Sequence, residues 1–182
     1  DPFIILFFRE MGISFLEIGI LFSIRSIFTI IFEIPTGIVA DSYGKKNSMI
    51  LSFVSYIISF IIFYSFPQYG FYIVAMILYS AGDAFRSGTH KAMILTYLKL
   101  KNWNDLKVEY YGYTRSWSQK GSAISSLIAG AIVLFSGQYK FVFLASIVPY
   151  IMELFLIISY PNELNDYEKS VEEVPFFRKI YN

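Results

Sequence analysis

The stretch Gly37-Ile38-Val39-Ala40-Asp41-Ser42-Tyr43-Gly44-Lys45-Lys46 lies between two long apolar runs and carries an acid, two glycines and two lysines. Glycines beside consecutive charged residues interrupt an apolar run and favour a reversal of the chain in water. We therefore predict a tight, water-exposed turn that joins two membrane-spanning helices. This turn decides how the rest of the chain is interpreted.

The composition favours a helical bundle in lipid over a soluble domain. Of 182 residues, 55% are hydrophobic, 20% are aromatic and only 16% are charged, with a mean hydropathy of +0.52. Soluble domains usually carry about 25% charged residues. A net charge of +1 provides no basic field for nucleic acid. Without cysteine and with one histidine, the chain has no thiolate metal site and no typical zinc site. We expect no metal, no cofactor and no nucleic-acid partner.

Long apolar segments, of about 18 residues or more, predict membrane-spanning helices. The predicted spans are residues 3–8 (partial), 15–39, 48–66, 71–98, 113–135 and 141–160, and residues 161–182 are expected to form a cytoplasmic loop or tail. The predicted fold class is an all-α membrane protein, a six-helix transmembrane bundle. The chain begins Asp1-Pro2-Phe3, without Met or a basic leader, so we expect a truncated first helix and not a signal peptide.

The basic residues in the connections predict the orientation in the membrane. One set of connections is rich in Lys and Arg and contains Lys45, Lys46, Lys99, Lys101, Lys107, Lys169, Arg178 and Lys179. The alternate set contains only Arg9 and Lys140. Because basic loops stay in the cytoplasm, loop 40–47 and the C-terminal tail are both expected on the cytoplasmic side.

The turn also resembles a family signature. In the major facilitator superfamily, the cytoplasmic loop between helices two and three carries Gly, three residues, Asp, a base, any residue, Gly and two bases. The matching residues here are Gly37, Asp41, Gly44, Lys45 and Lys46, whereas Ser42 stands where the family usually has a base. The end of the second helix, Glu33-Ile34-Pro35-Thr36, and residues 82–92 are similar to segments of uncharacterised prokaryotic members.

The resemblance implies both a fold and an activity. Family members have twelve helices in two halves, so this chain would be the N-terminal six-helix half with part of the central loop, and its partner would be the missing C-terminal half. The complete protein would be a multi-pass secondary transporter of a prokaryotic plasma membrane. It would move a small organic solute, by uptake or efflux, through alternating access, and this chain alone is not expected to transport.

Each residue of the turn has a physical role to test. Gly44 is able to adopt a positive φ, which suits a tight reversal, and Gly37 lets another helix approach closely. Asp41 at the C-terminal end of a helix faces the negative end of the helix dipole and needs a partner. The resemblance implies a gating role for this acid against the other half. The alternative is an ordinary loop in which Lys45 and Lys46 only follow the positive-inside rule.

Ionisable residues inside the spans are candidates for a substrate or proton path, because each costs about 2.5–3.5 kcal/mol at the membrane centre. Arg25 and Glu33 share one ridge of the second helix with Thr29. For Arg25 and Glu33 the alternative is a structural ion pair, in which Glu33 braces a neighbouring base.

The fourth and sixth helices supply the other path candidates. Asp83 and Arg86 fall on one face with Tyr79 and His90. The first two, Asp83 and Arg86, are able to pair, which would offset much of their desolvation, and we favour a cavity-lining role for both. For His90 we favour a solvated position at the helix end. Glu153, one turn after Pro149, is the candidate for proton coupling. Its alternative is a structural partnership with Arg115 or Lys120 on the fifth helix.

Two classes of function remain open from the sequence. The first is a secondary transporter in the lipid bilayer, with a small-molecule substrate and with protons as a possible coupling ion. The second is a six-helix membrane scaffold or integral membrane enzyme. An enzyme would need a nucleophile with a base, or metal ligands, at one depth, and the sequence supports neither. We therefore predict that the protein is not an enzyme.

Overall fold

The computed structural model describes residues 2–161, and residues 162–182, which include most of the predicted cytoplasmic tail, lie outside the described residues. The described part is an all-α bundle of six helices, as predicted. Their bounds are α1 Pro2–Glu10, α2 Phe15–Tyr43, α3 Lys45–Ser65, α4 Tyr69–Leu100, α5 Lys107–Ser136 and α6 Lys140–Ile158, with a 3-10 turn at Asn104–Leu106.

Four of the described helices, α2, α3, α5 and α6, are long and apolar enough to cross a membrane. The first helix, α1, has nine residues and is too short by itself. The fourth, α4, has 32 residues, but Asp83, Arg86 and Lys91 in its interior lower its hydropathy. Since charged residues in a span normally face protein or a cavity, α4 is the helix to search for a functional site.

The central helix of the bundle is α4, which packs against both α2 and α3, while α3 also contacts α6. Serines on α3 bring α3 close to α4: the Ser52 hydroxyl donates to the Gly82 carbonyl at 2.8 Å, and the Ser59 hydroxyl to the Ala75 carbonyl at 2.8 Å. At Gly82 an added Cβ would lie 3.0 Å from the Tyr56 ring. Small residues and hydroxyl groups are the usual means of close helix packing in lipid.

The connection between α4 and α5 differs from its prediction. The predicted spans 71–98 and 113–135 leave residues 99–112 between them as a connection, yet α4 continues to Leu100 and α5 already begins at Lys107. Lys and Glu are good helix formers, so the charges of Lys107 and Glu109 do not end a helix once it leaves the apolar layer. The helices are therefore longer here than the apolar segments that predicted them.

Contacts between distant segments define the two ends of the bundle. At one end, which we call the lysine end, Lys45 Nζ donates to Thr96 Oγ1 at 3.0 Å and Lys46 Nζ to the Tyr160 carbonyl at 2.7 Å. At the opposite end, the backbone N–H of Tyr139 donates to Glu10 Oε2 at 3.0 Å. The described connections thus alternate between the two ends, and the lysine-rich connections gather at one of them.

Candidate functional site

A salt bridge between α2 and α4 forms the first part of the candidate site. Arg25 donates to Asp83 Oδ2 through Nε at 3.1 Å and through Nη2 at 2.7 Å. The Arg25 guanidinium also lies over the Tyr79 ring, 4.5 Å from its centroid. The side chains of Arg25 and Asp83 are 31% and 26% exposed, so both charges are largely withdrawn from the surface. Pairing offsets much of the desolvation that each would otherwise suffer.

The hydroxyl of Tyr56 on α3 extends this pair towards a second base. It donates to Asp83 Oδ1 at 2.5 Å, and the Tyr56 side chain is only 1% exposed. The Arg86 guanidinium lies close to the same hydroxyl. The pairing of Asp83 with Arg86 that their spacing allows is not formed in the described structure. Asp83 pairs with Arg25 from a neighbouring helix and accepts a hydrogen bond from the Tyr56 hydroxyl.

Glu153 on α6 is the last member of the chain of polar side chains. Arg86 is close enough for its charge to attract that of Glu153. No described pair other than Arg25 and Asp83 on these helices has its charged atoms within 4 Å. Neither Arg115 nor Lys120 pairs with Glu153 in the described structure, and the Lys120 ammonium lies over Trp117 instead. We call Arg25, Asp83, Tyr56, Arg86 and Glu153 the polar network.

Two cavities flank the polar network. The larger, of about 790 Å³, lies towards the lysine end among α3, α4, the start of α5 and the end of α6. Its lining includes Arg86, His90 and Glu153. The smaller, of about 350 Å³, is lined by Asp83 and Tyr56, and also by Arg86 and His90. Arg86 and His90 thus border both cavities. His90 is exposed, but to cavities inside the bundle, and α4 continues to Leu100, so the expected position of His90 at the helix end is wrong.

Glu33 is the one path candidate that does not join the polar network. Its side chain is exposed, it lines neither cavity, and it makes no hydrogen bond or ion pair within residues 2–161. The alternative, an ion pair between Glu33 and a neighbouring base, is not formed among the described residues either. Its proposed role in a path stays a prediction.

The glycines of the turn behave differently from one another. Gly44 ends α2 and precedes α3 directly, with φ 93° and ψ 152°, and its N–H donates to the Ala40 carbonyl at 3.0 Å. Only glycine adopts such angles without strain, and the positive φ predicted for Gly44 is confirmed. An added Cβ at Gly37 would meet nothing within 4 Å. The close helix contact expected at Gly37 is absent from the described part of the chain, and the close approach is at Gly82.

The charged residues of the turn divide into two groups. Lys45 and Lys46 fasten the start of α3 to α4 and to the end of α6 through the bonds at the lysine end. An ammonium beside the last carbonyls of a helix is also favoured by the helix dipole. The Asp41 carboxylate is exposed and has no hydrogen bond or ion pair to any described residue. The acid keeps the unfavourable position that its place in the sequence predicted.

Sequence reasoning missed Tyr56 as a member of the site. A signal was available, because Ser52, Tyr56 and Ser59 recur at helical spacing on one face of an otherwise apolar helix. Such a polar stripe in a membrane span marks the side that faces another helix. The described residues hold no group of three His, Cys, Asp or Glu side chains that could bind a metal.

Comparisons with known proteins add the following findings. The family model for the Major Facilitator Superfamily matches residues 1–180. An uncharacterized MFS-type transporter of Bacillus subtilis (strain 168), YxaM, is 34% identical over 89 residues, which are 49% of this chain. The chain aligns with only 22% of the length of that relative. No solved structure matches the chain.

Proposed function

The chain belongs to the Major Facilitator Superfamily, and we propose that it forms one half of a secondary active transporter that moves a small organic solute by alternating access. The similarity to an MFS-type transporter supports the general assignment. The proposed partner is a second six-helix bundle, against which this one rocks, with the solute held near the middle of the membrane.

The observation that carries the proposal is the polar network. Arg25, Asp83, Arg86 and Glu153 come from three helices and lie together in an otherwise apolar bundle. Each charge costs about 2.5–3.5 kcal/mol at the membrane centre on insertion scales. Replacing a buried ion pair with apolar residues is often neutral or stabilising, so stability alone does not require this arrangement. Asp83, Arg86 and Glu153 each line at least one of the two cavities, where their charges are placed to contact a solute.

The turn supports a gating role at the lysine end. Asp41 lies at the C-terminal end of α2, where the helix dipole disfavours an acid by about 0.3–1 kcal/mol. A base or a helix N-terminus on a second bundle would relieve this repulsion when the two bundles close. Positive-inside reasoning places the lysine end in the cytoplasm, so Asp41 would help to hold the cytoplasmic side closed.

Glu153 is the proposed proton-coupling residue. Its carboxylate lines the larger cavity beside Arg86 and has no hydrogen-bond partner among the described residues. An acid in such a position exchanges a proton readily as the cavity opens and closes, and its charge changes the attraction that Arg86 exerts on a solute. Glu33 is proposed to lie on the substrate path, at the end of the path nearest the lysine end of the bundle.

The proposal is tested by transport in the complete gene product. Asp83→Asn keeps the shape of the side chain but weakens the contacts with Arg25 and Tyr56, and we expect uptake or efflux to fall at least about tenfold, which equals about 1.4 kcal/mol of activation free energy. Glu109→Gln, on the exposed start of α5, is the matched control and should keep wild-type transport. Transport by Asp83→Asn at the wild-type rate, with equal amounts in the membrane, would overturn the proposed role of the polar network.

A further inference from the structure

We propose that the larger cavity binds a small zwitterion with an apolar body, such as an apolar dipeptide or amino acid. This inference rests on the proposed function, since it names the substrate class of that site. The site is formed by Arg86 and Glu153, which present opposite charges to one cavity, and by the apolar wall between α3, α4 and α6.

Two opposite, unpaired charges select a ligand that carries both. Arg86 and Glu153 attract each other but are not in ion-pair contact within the described structure, so each retains capacity for a ligand. A monoanion would pair with Arg86 but be repelled by Glu153. A monocation would pair with Glu153 but be repelled by Arg86. Either ligand would also leave one charged group of the site desolvated without a partner. A zwitterion satisfies both groups together.

The walls of the cavity require an apolar body. Beside the two charges the lining includes Met49, Phe53, Met93, Ile94, Leu156 and Ile157. The volume of about 790 Å³ falls in the usual range for small-molecule sites, about 300–1,000 Å³, and methionine side chains adapt to ligands of different shape.

The other bases of the cavity do not change this selection. Lys101 also lines the cavity; it directly follows the end of α4, fifteen residues after Arg86 and therefore about 22 Å away along the helix axis. The Lys101 side chain is exposed to solvent, where salt screens its charge. His90 lies one turn from Arg86 and borders the same cavity. Any charge on His90 would add to that of Arg86 and would leave Glu153 as the acid in the described lining, so the cavity would still present both signs.

Equilibrium binding to the purified complete protein tests the inference without any need for transport. The probes are a dipeptide of leucine and phenylalanine in three forms: free, N-acetylated and C-amidated. The free dipeptide is a zwitterion, the acetylated form an anion and the amidated form a cation. We expect the free form to bind at least about tenfold more tightly than either capped form, as the loss of one charged contact implies.

Charge-removing variants make the test specific. Glu153→Gln should bind the acetylated form as tightly as the free form, and Arg86→Gln should do the same for the amidated form. Arg115→Gln and Glu109→Gln, which remove the same charges from α5 outside both cavities, should keep the wild-type order. The wild-type comparison of the three probes stands by itself if one variant fails to fold.

The possible outcomes separate this inference from the proposed function. Equal binding of the three forms, tighter binding of a capped form, no binding of any form, or an unchanged order in both variants would overturn the inference. Transport of a different class of solute would leave the proposed function standing. Zwitterion binding with the expected changes, but no transport in the complete protein, would support the site and overturn the transporter.

Discussion

Two buried tyrosines offer a matched test of the polar network. Tyr56 and Tyr72 are both 1% exposed, and both pack among aromatic rings of the bundle. The Tyr56 hydroxyl donates to Asp83, whereas the Tyr72 hydroxyl has no hydrogen-bond partner in the described structure. Replacing either residue with Phe removes one oxygen atom and keeps the ring. Any difference between the two variants therefore reports the hydrogen bond.

The expected magnitudes have opposite signs. A hydrogen bond to a charged group contributes about 1.5–3 kcal/mol in soluble proteins. Interhelical hydrogen bonds in lipid contribute less, about 0.6 kcal/mol on average and about 1.7 at most. At 2.5 Å, with a charged acceptor, the Tyr56 bond belongs at the upper end, so Tyr56→Phe should destabilise by about 1–2 kcal/mol. Tyr72→Phe removes a buried hydroxyl without a partner and should be neutral or stabilising by up to about 1 kcal/mol.

The assay is equilibrium unfolding in detergent micelles, with thermal unfolding as a second measurement. A change of 1 kcal/mol shifts Tm by about 2–4 °C in a domain of this size. Asp83→Asn combined with Tyr56→Phe completes a double-mutant cycle that isolates the contact from other effects of the substitutions. Equal destabilisation by Tyr56→Phe and Tyr72→Phe, or a cycle with no coupling, would refute the reasoning that places Tyr56 in the polar network.

Three further predictions concern the turn and the proposed proton site. Gly44→Ala should destabilise the protein by about 1–3 kcal/mol in the same unfolding assay, because the backbone angles of Gly44 strain any other residue. Its control is Gly37→Ala, which should be neutral or slightly stabilising because an added Cβ there meets nothing within 4 Å. Asp41→Asn in the complete protein should slow transport without loss of insertion, and wild-type uptake would contradict its gating role. Glu153→Gln should remove the pH dependence of transport, so an unchanged pH profile would exclude Glu153 as the coupling residue.

The sequence predicted the features that depend on neighbouring residues and on hydropathy. The length of the apolar segments and the polar residues between them predicted six helices. The presence of a glycine at position 44 of the charged turn predicted a positive φ there. The alternation of the connections between the two ends of the bundle follows from the number of helices, because each helix carries the chain to the opposite end. These properties are local, because a short segment contains the groups that determine them.

Pairing between helices could not be predicted in the same way. Asp83 and Arg86 are neighbours on one helix face, so local spacing favoured their pairing. In the structure α2 packs against α4, and Arg25 of α2 donates to Asp83 Oδ2. The Tyr56 hydroxyl donates to the other carboxylate oxygen, Asp83 Oδ1. The expected close contact at Gly37 failed for the same reason, because a glycine permits a close approach but does not bring a second helix to it. Which helices meet depends on the packing of the whole bundle.

The turn that predicted the fold performs two different tasks. Its lysines are used inside the bundle, where Lys45 fastens α3 to α4 and Lys46 fastens α3 to the end of α6. Its acid is left exposed at the negative end of a helix, without a hydrogen bond to the described residues. A purely structural turn would use the nearby lysines to neutralise the acid. Because Lys45 and Lys46 are held by α4 and the end of α6 instead, the charge of Asp41 remains available to the second bundle that we propose. The contacts of Lys45 and Lys46 also hold the turn firmly against its own bundle. Movement of the proposed second bundle would therefore make or break its proposed interaction with Asp41.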